Sequence, residues 1–142
     1  MGRTPELEPV MTLHVELAPP LEIGDIGEGI RRVIPIIGGT FEGAAIRGQV
    51  LAGGADWNLA RPDGTAELWA RYTLRTDDAV LIGVLNTGVA VPQAGGSVYV
   101  RTVPRFEVGG ERYAWLRQSI FVGTLTAVET GNAVHLQFFR VT

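Results

Sequence analysis

Glu67-Leu68-Trp69-Ala70-Arg71-Tyr72-Thr73-Leu74-Arg75 alternates without a break. Leu68, Ala70, Tyr72 and Leu74 fall on one side, and Glu67, Trp69, Arg71, Thr73 and Arg75 on the other. A period of two is that of a strand, since successive side chains leave opposite faces of a pleated chain. Asp77-Asp78 then marks a turn and residues 80–86 a second strand, so 67–86 reads as a hairpin. Upstream, Arg61-Pro62-Asp63-Gly64 is a turn with proline at its second position and glycine at its fourth. Residues 55–60 place Ala55, Trp57 and Leu59 opposite Asp56 and Asn58.

The same reading extends to both ends. Residues 12–17 alternate, with Leu13, Val15 and Leu17 against Thr12, His14 and Glu16. Residues 33–37 form an apolar run closed by Gly38-Gly39, and 46–51 another, closed by Gly53-Gly54. Residues 88–96 are expected to be a long loop, 98–103 a strand stopped by Pro104, 113–128 one bent strand or two, and 134–141 the last strand. Nineteen glycines and eight prolines in 142 residues leave segments too short for most helices. The expectation is an all-β protein, an antiparallel closed or nearly closed β-barrel of the calycin or lipocalin kind with about 8–10 strands. Residues 1–10 are expected to be a flexible arm and 11–142 a single barrel domain.

Composition narrows the chemistry. With no Cys, thiolate metal sites and cysteine nucleophiles are excluded. All twelve basic residues are Arg, so neither a Schiff-base lysine nor a phosphate-loop lysine is available. Ser97 and Ser119 are the only serines, and His14 and His135 the only histidines, which argues against a Ser-His-Asp triad. A zinc site would need carboxylate help, for example from Glu16, and no metal or other cofactor is expected. The paired glycines precede no helix and so read as turns and bulges rather than a nucleotide loop. A net charge of −3 argues against a nucleic-acid partner. No signal-length or membrane-length apolar stretch occurs, so the expectation is a cytoplasmic protein without a membrane partner. Small barrels leave edges to cover, and a homo-oligomer is expected.

Several tracts, taken in order, resemble a known family: Gly38-Gly39-Thr40-Phe41-Glu42-Gly43, Gly53-Gly54-Ala55-Asp56-Trp57, Arg71 to Asp78, Arg101 to Glu107, Tyr113-Ala114-Trp115-Leu116 and Phe121-Val122-Gly123. Together they are similar to the bacterial family of unknown function DUF 3237. The resemblance implies a calycin-like barrel and supplies no reaction. The sequence departs from the family pattern at Ala79, where glycine is usual, at Arg117, where asparagine is usual, in a short 89–97 loop, and in the tail after Gly123.

Within this frame the candidate catalytic residues are Asp56 and Arg71. An acid beside an indole in a glycine-rich segment can have its pKa raised by desolvation, and an Arg in a cavity can hold a carbonyl or enolate oxygen. The bland readings are a turn cap and a solvated ion pair. Trp57, Trp69, Tyr72, Thr73 and Trp115 are the candidate substrate-binding residues, as walls for a small hydrophobic molecule. Alternation forbids Asp56 and Trp57, or Arg71 and Tyr72, from sharing a face without a bulge; the set Trp69, Arg71 and Thr73 is self-consistent and suggests that odd residues line the lumen. The functional expectation is a cofactor-independent enzyme for a cyclase, isomerase or cycloaddition step of natural-product biosynthesis. The alternative is a non-catalytic barrel that binds a small hydrophobic ligand.

Overall fold

A computed structural model describes residues 2–142. Ten strands follow in order: β1 (Leu7–Leu17), β2 (Leu21–Asp25), β3 (Ile30–Glu42), β4 (Arg47–Val50), β5 (Gly54–Ala60), β6 (Ala66–Thr76), β7 (Leu81–Pro92), β8 (Val98–Val108), β9 (Ile120–Ala127) and β10 (Ala133–Val141). Pairing runs β1-β10-β9-β8-β7-β6; β4 and β5 then share one position against β6 and β3, and β3 pairs back onto β1. The result is a closed eight-stranded antiparallel barrel with 3% helix. β2 lies on β3 beside β1, pairing Leu21 with Val33 and Asp25 with Ile30.

Closure depends on a parity switch in β3. Ile34 and Ile36 face inward, Ile37 is exposed, and Phe41 faces inward again, so even positions give way to odd across Gly38-Gly39. At Gly39 φ is +137°, and a Cβ there would lie 2.0 Å from the His14 carbonyl oxygen. Only glycine permits both that backbone and that approach of β1.

One end of the barrel is packed solid. Met11, Phe41, Leu74, Ile82, Phe106, Phe121 and Phe138 fill it. The Phe106 ring meets those of Phe121 and Phe138 nearly edge-on, at centroid distances of 5.1 and 5.9 Å. A 3-10 turn, Ala114–Arg117, closes this end by burying Ala114 and Leu116. It is tied down by the Tyr113 hydroxyl, which donates to Asp78 Oδ1 at 2.7 Å, and by Arg117, which donates to the Val108 and Gly110 carbonyls. Arg117, one of the departures from the family pattern, therefore anchors the turn to the end of β8.

Some boundaries differ from expectation. β1 starts at Leu7, and Leu7, Glu8 and Pro9 pair with Val141, Arg140 and Phe139, so the expected arm of residues 1–10 is partly strand; Met1 lies outside the described residues. β7 runs on to Pro92, which shortens the expected loop at 88–96 to its second half. Pro104 does not stop β8: it pairs with Asn86, and on the other side β8 meets β9 through the pair Thr102–Gly123, so little ladder is lost for want of one N–H. The 113–128 segment is the 3-10 turn followed by β9. β2 has too mixed a pattern to have been read as a strand.

Ala79 occupies the β6–β7 turn with φ +68° and is the one non-glycine at positive φ among the described residues. A left-handed backbone costs an L-residue about 1–2 kcal/mol, against which glycine loses some unfolded-state entropy advantage. Ala79→Gly is expected to stabilise the protein by about 0.5–1 kcal/mol, read as a higher midpoint in urea at unchanged slope.

Candidate functional site

The other end of the barrel is not filled. A cavity of about 150 Å3 lies between β1, β3, β5, β6, β7, β8, β9 and β10. Its apolar wall includes Val15, Ile36 and Leu136 deep inside, with half-buried Leu17, Ile34, Leu68, Leu125 and Val134 around the mouth. Its polar groups are Asp56, Asn58, Tyr72, Asn86 and Thr102.

Register explains how these groups meet. Ile34, Asp56, Ala70, Asn86 and Pro104 are successive partners across β3, β5, β6, β7 and β8, forming one belt around the wall. Asp56 and Asn86 stand two strand spacings apart, about 10 Å along the sheet. Ala70 sits between them and contributes only a methyl group, which leaves room in front of both. Tyr72 is the next inward residue on β6 and Thr102 the next on β8.

Asp56 is the carboxyl of the cavity wall. Its Oδ1 accepts the Trp69 backbone N–H at 2.9 Å, and its Oδ2 accepts from Asn58 Nδ2 at 3.5 Å. Burial pushes its pKa above the ordinary 3.8, against the opposing pull of those two hydrogen bonds and of Arg32 and Arg31. Arg32 pairs with Asn58 in the β3–β5 ladder and so lies towards the mouth. Burial also pushes the Tyr72 hydroxyl well above its ordinary range, keeping it a neutral donor. The Tyr72 hydroxyl, Asn86 Oδ1 and Thr102 Oγ1 are all buried and have no hydrogen-bond partner in the protein. Buried polar atoms are nearly always satisfied, because leaving one unpaired costs about 1–3 kcal/mol.

The cavity thus brings together Asp56 and Tyr72 of the residues singled out from the sequence, and not the others. The odd-numbered face of β6 is the outer face. Arg71 points outward and forms an exposed ion pair with Glu107 at 3.0 Å. Trp69 and Trp57 are also outside, 38–40% exposed, with rings packed edge-to-face 5.7 Å apart. Thr73 lies with them along an outer depression. On β6 the physical reason is plain: the apolar series Leu68, Ala70, Tyr72 and Leu74 is the face that leaves water, and alternation sends its neighbours out. On β5 the faces are reversed, since Asp56 and Asn58 line the cavity and alternation sends Trp57 out. Trp115 belongs to the 3-10 turn, against Phe121 at the packed end, away from the cavity. Asn58, Asn86 and Thr102 were not singled out. Asn58 shares the Asp56 face of its strand and could have been found by alternation; Asn86 and Thr102 carried no such signal.

A family model for a protein of unknown function, DUF3237, matches residues 5–141. The chain belongs to this family. A UPF0311 protein of Rhodopseudomonas palustris is 40% identical over 136 residues, covering 85% of this chain and 89% of the relative. A β-barrel-like protein of Acinetobacter baumannii superposes with a TM-score of 0.94 at 32% identity, covering 100% of this chain and 99% of that one. A protein of Penicillium herquei, described as an enzyme, has a TM-score of 0.80 at 23% identity, covering 100% and 98%; that likeness is one of fold. Among the described residues of this DUF3237 protein, no three His, Asp or Glu side chains come together as a metal site, and no helix is long and apolar enough to cross a membrane.

The Asp56 shift fixes the sign of a stability effect. Below pH 3.8 the carboxyl is neutral in both folded and unfolded chains. Above it the unfolded chain ionises first, so stability falls with rising pH until the folded carboxyl ionises too, and the penalty is then constant. Asp56→Asn keeps an acceptor for the Trp69 N–H and has no charge to bury. It is expected to melt at a higher temperature than the parent at pH 7, with the gap closing as pH falls towards 4, as a calorimetric pH series would record.

Proposed function

We propose that this DUF3237 protein is a cofactor-independent enzyme acting on a hydrophobic small molecule in the barrel cavity, in a cyclase- or isomerase-type step. The observation that carries the reading is that three buried polar atoms without a partner in the protein, and one carboxyl, belong to residues in the wall of a largely apolar chamber. Such atoms suit a ligand oxygen: the Tyr72 and Thr102 hydroxyls can donate to a carbonyl or to the enolate it becomes, and Asn86 Oδ1 can accept from a hydroxyl. Asp56 is the acid–base group. A carboxyl with a raised pKa is closer to the working range for proton transfer than a free one. Donors held in place where charge develops, together with a wall that confines a flexible substrate, lower a barrier without a nucleophile. The volume suits one six-membered ring, with any larger portion passing out between Leu17, Leu68 and Val134. Action in the cytoplasm is part of the same reading.

Cyclohexanone is a suitable probe, since it has one ring, one carbonyl and exchangeable α-hydrogens. The protein is expected to shift cavity resonances on binding it and to speed deuterium uptake from heavy water at its α-carbon. Asp56→Asn is expected to cut that exchange about a hundredfold while leaving binding in place. Ala70→Leu, which fills the space between Asp56 and Asn86, is expected to abolish both. Binding with exchange no faster than buffer would instead favour the non-catalytic binding barrel.

The homo-oligomer belongs to the proposal as well, with β2 as its contact. β2 ends the strand path, so its outer edge is unpaired, and Leu21 and Ile23 are 60% and 61% exposed. A second copy can pair with that edge antiparallel to itself about a two-fold axis. Light scattering is expected to give twice the 15.3 kDa chain mass, and Ile23→Lys, which puts a charge on the edge, to halve it.

A further inference from the structure

Outside the cavity, one cluster of side chains is assigned no role by the fold or by the proposed reaction. His14 and His135 are the only two histidines of the chain, 121 positions apart. The β1–β10 register sets them directly opposite each other. Both project from the outer face of the barrel, since their neighbours Leu13, Val15 and Leu136 point inward. His14 Nδ1 and His135 Nε2 are 2.8 Å apart, and the ring centroids are 4.9 Å apart with planes tilted by 50°. The pair lies in a broad outer depression whose wall is rich in hydroxyls: Thr12 and Thr40 on one side, Thr124 and Thr126 on the other. Glu42, Asp77 and Arg47 also line it.

We propose that His14 and His135 form a surface chelate for a divalent transition-metal ion of the copper(II) or nickel(II) class. Neutral imidazole is a common ligand for these ions, which favour square-planar or octahedral surroundings with neighbouring ligands at right angles. Two metal–imidazole bonds of about 2.0–2.1 Å at a right angle put the nitrogens about 2.8–3.0 Å apart. A tetrahedral ion opens the same separation to about 3.3–3.4 Å. The 2.8 Å spacing of the metal-free pair is that of an N–H···N hydrogen bond. It already lies at the right-angle value, so an ion of that geometry needs a turn of the rings but little change in their separation. In the metal-free pair one ring donates its N–H to the other. To chelate, that ring moves its proton to its second nitrogen, so both facing nitrogens present lone pairs and no net proton is lost. The remaining positions on the ion are filled by water, which the threonine hydroxyls and Glu42 can hydrogen-bond. The pairing across two ladder-bonded strands limits the motion of both ligands, so little ordering remains to be done on binding.

The test uses the full chain without an added histidine tag. Titration with copper(II) chloride, followed calorimetrically, is expected to give one ion per chain. His14→Gln and His135→Gln are each expected to weaken binding at least tenfold, with unchanged melting temperatures in the absence of metal. In nuclear magnetic resonance spectra, substoichiometric copper(II) is expected to broaden resonances of β1 and β10 around these residues first. Equal affinity in the variants, or broadening centred on the acidic residues elsewhere, would overturn the proposal, as would the absence of binding at micromolar copper.

Discussion

The pairing of β3 with β1 is the constraint on which the rest of the barrel depends. Without it the sheet is an open ribbon with two long edges and no interior. Closure asks β3 to serve both halves of the barrel, with β5 beside its first half and β4 beside its second. A regular strand cannot do this while keeping one face inward, because the wall must bend sharply. Gly38-Gly39 supply the bend by exchanging which parity faces in, so that Ile36 and Phe41 are both core residues although five positions separate them. Gly39 also lets β1 approach to a distance at which a side chain there would collide with the His14 carbonyl.

The bend also divides the interior into two unlike ends. Beyond it, Phe41 joins the phenylalanines of β8, β9 and β10 in a packing that leaves no room. Before it, the inward residues on β3 are the smaller Ile34 and Ile36, and the wall on β6 carries Ala70 rather than a large side chain. Gly123 is held to a single hydrogen by contact: a Cβ there would sit 2.5 Å from Thr102 Oγ1 and 2.9 Å from the Phe138 ring. The cavity is therefore a consequence of where small residues fall on the inward face, and its polar groups are confined to that end. The solid packing and the candidate site are separated along the barrel axis.

Much of this was legible in the sequence and some was not, for physical reasons. Period-two alternation identified β1 and β6, where an apolar face stands against a mixed one and goes inward. It identified β5 as well, but there the faces are reversed, with Asp56 and Asn58 lining the cavity and Trp57 outside. On β6 it also contained the correct answer about the lumen. Leu68, Ala70, Tyr72 and Leu74 form an apolar series, and preferring Trp69, Arg71 and Thr73 meant weighing functional groups above the cost of burying Arg71. Asp56 was legible as a residue set among close-approaching glycines, but its partner is a backbone N–H on β6, which no side-chain pattern reveals. Asn86 and Thr102 were hidden because a single polar residue on an inward strand face looks like an interruption until the register lines it up with its neighbours. Pro104 was misleading in the opposite sense, since proline breaks a strand only where its N–H is needed.

The placement of Asp56 explains why an acid can persist at the inner wall of so small a barrel. A carboxyl facing apolar side chains with no bonds would cost more than the fold could bear, whereas one fully ion-paired would be ordinary and inert. Asp56 has an intermediate environment: one short bond from the Trp69 N–H, one long one from Asn58, and the more distant charges of Arg31 and Arg32. These hold the side chain in one orientation without cancelling the desolvation that raises its pKa. Because the principal bond comes from the backbone of a central strand, the orientation is as rigid as the sheet itself. The exposed indole of Trp69 has no part in that bond; what matters at position 69 is its N–H, which meets the carboxylate where the β5–β6 ladder lacks the pairs 57–69 and 58–68.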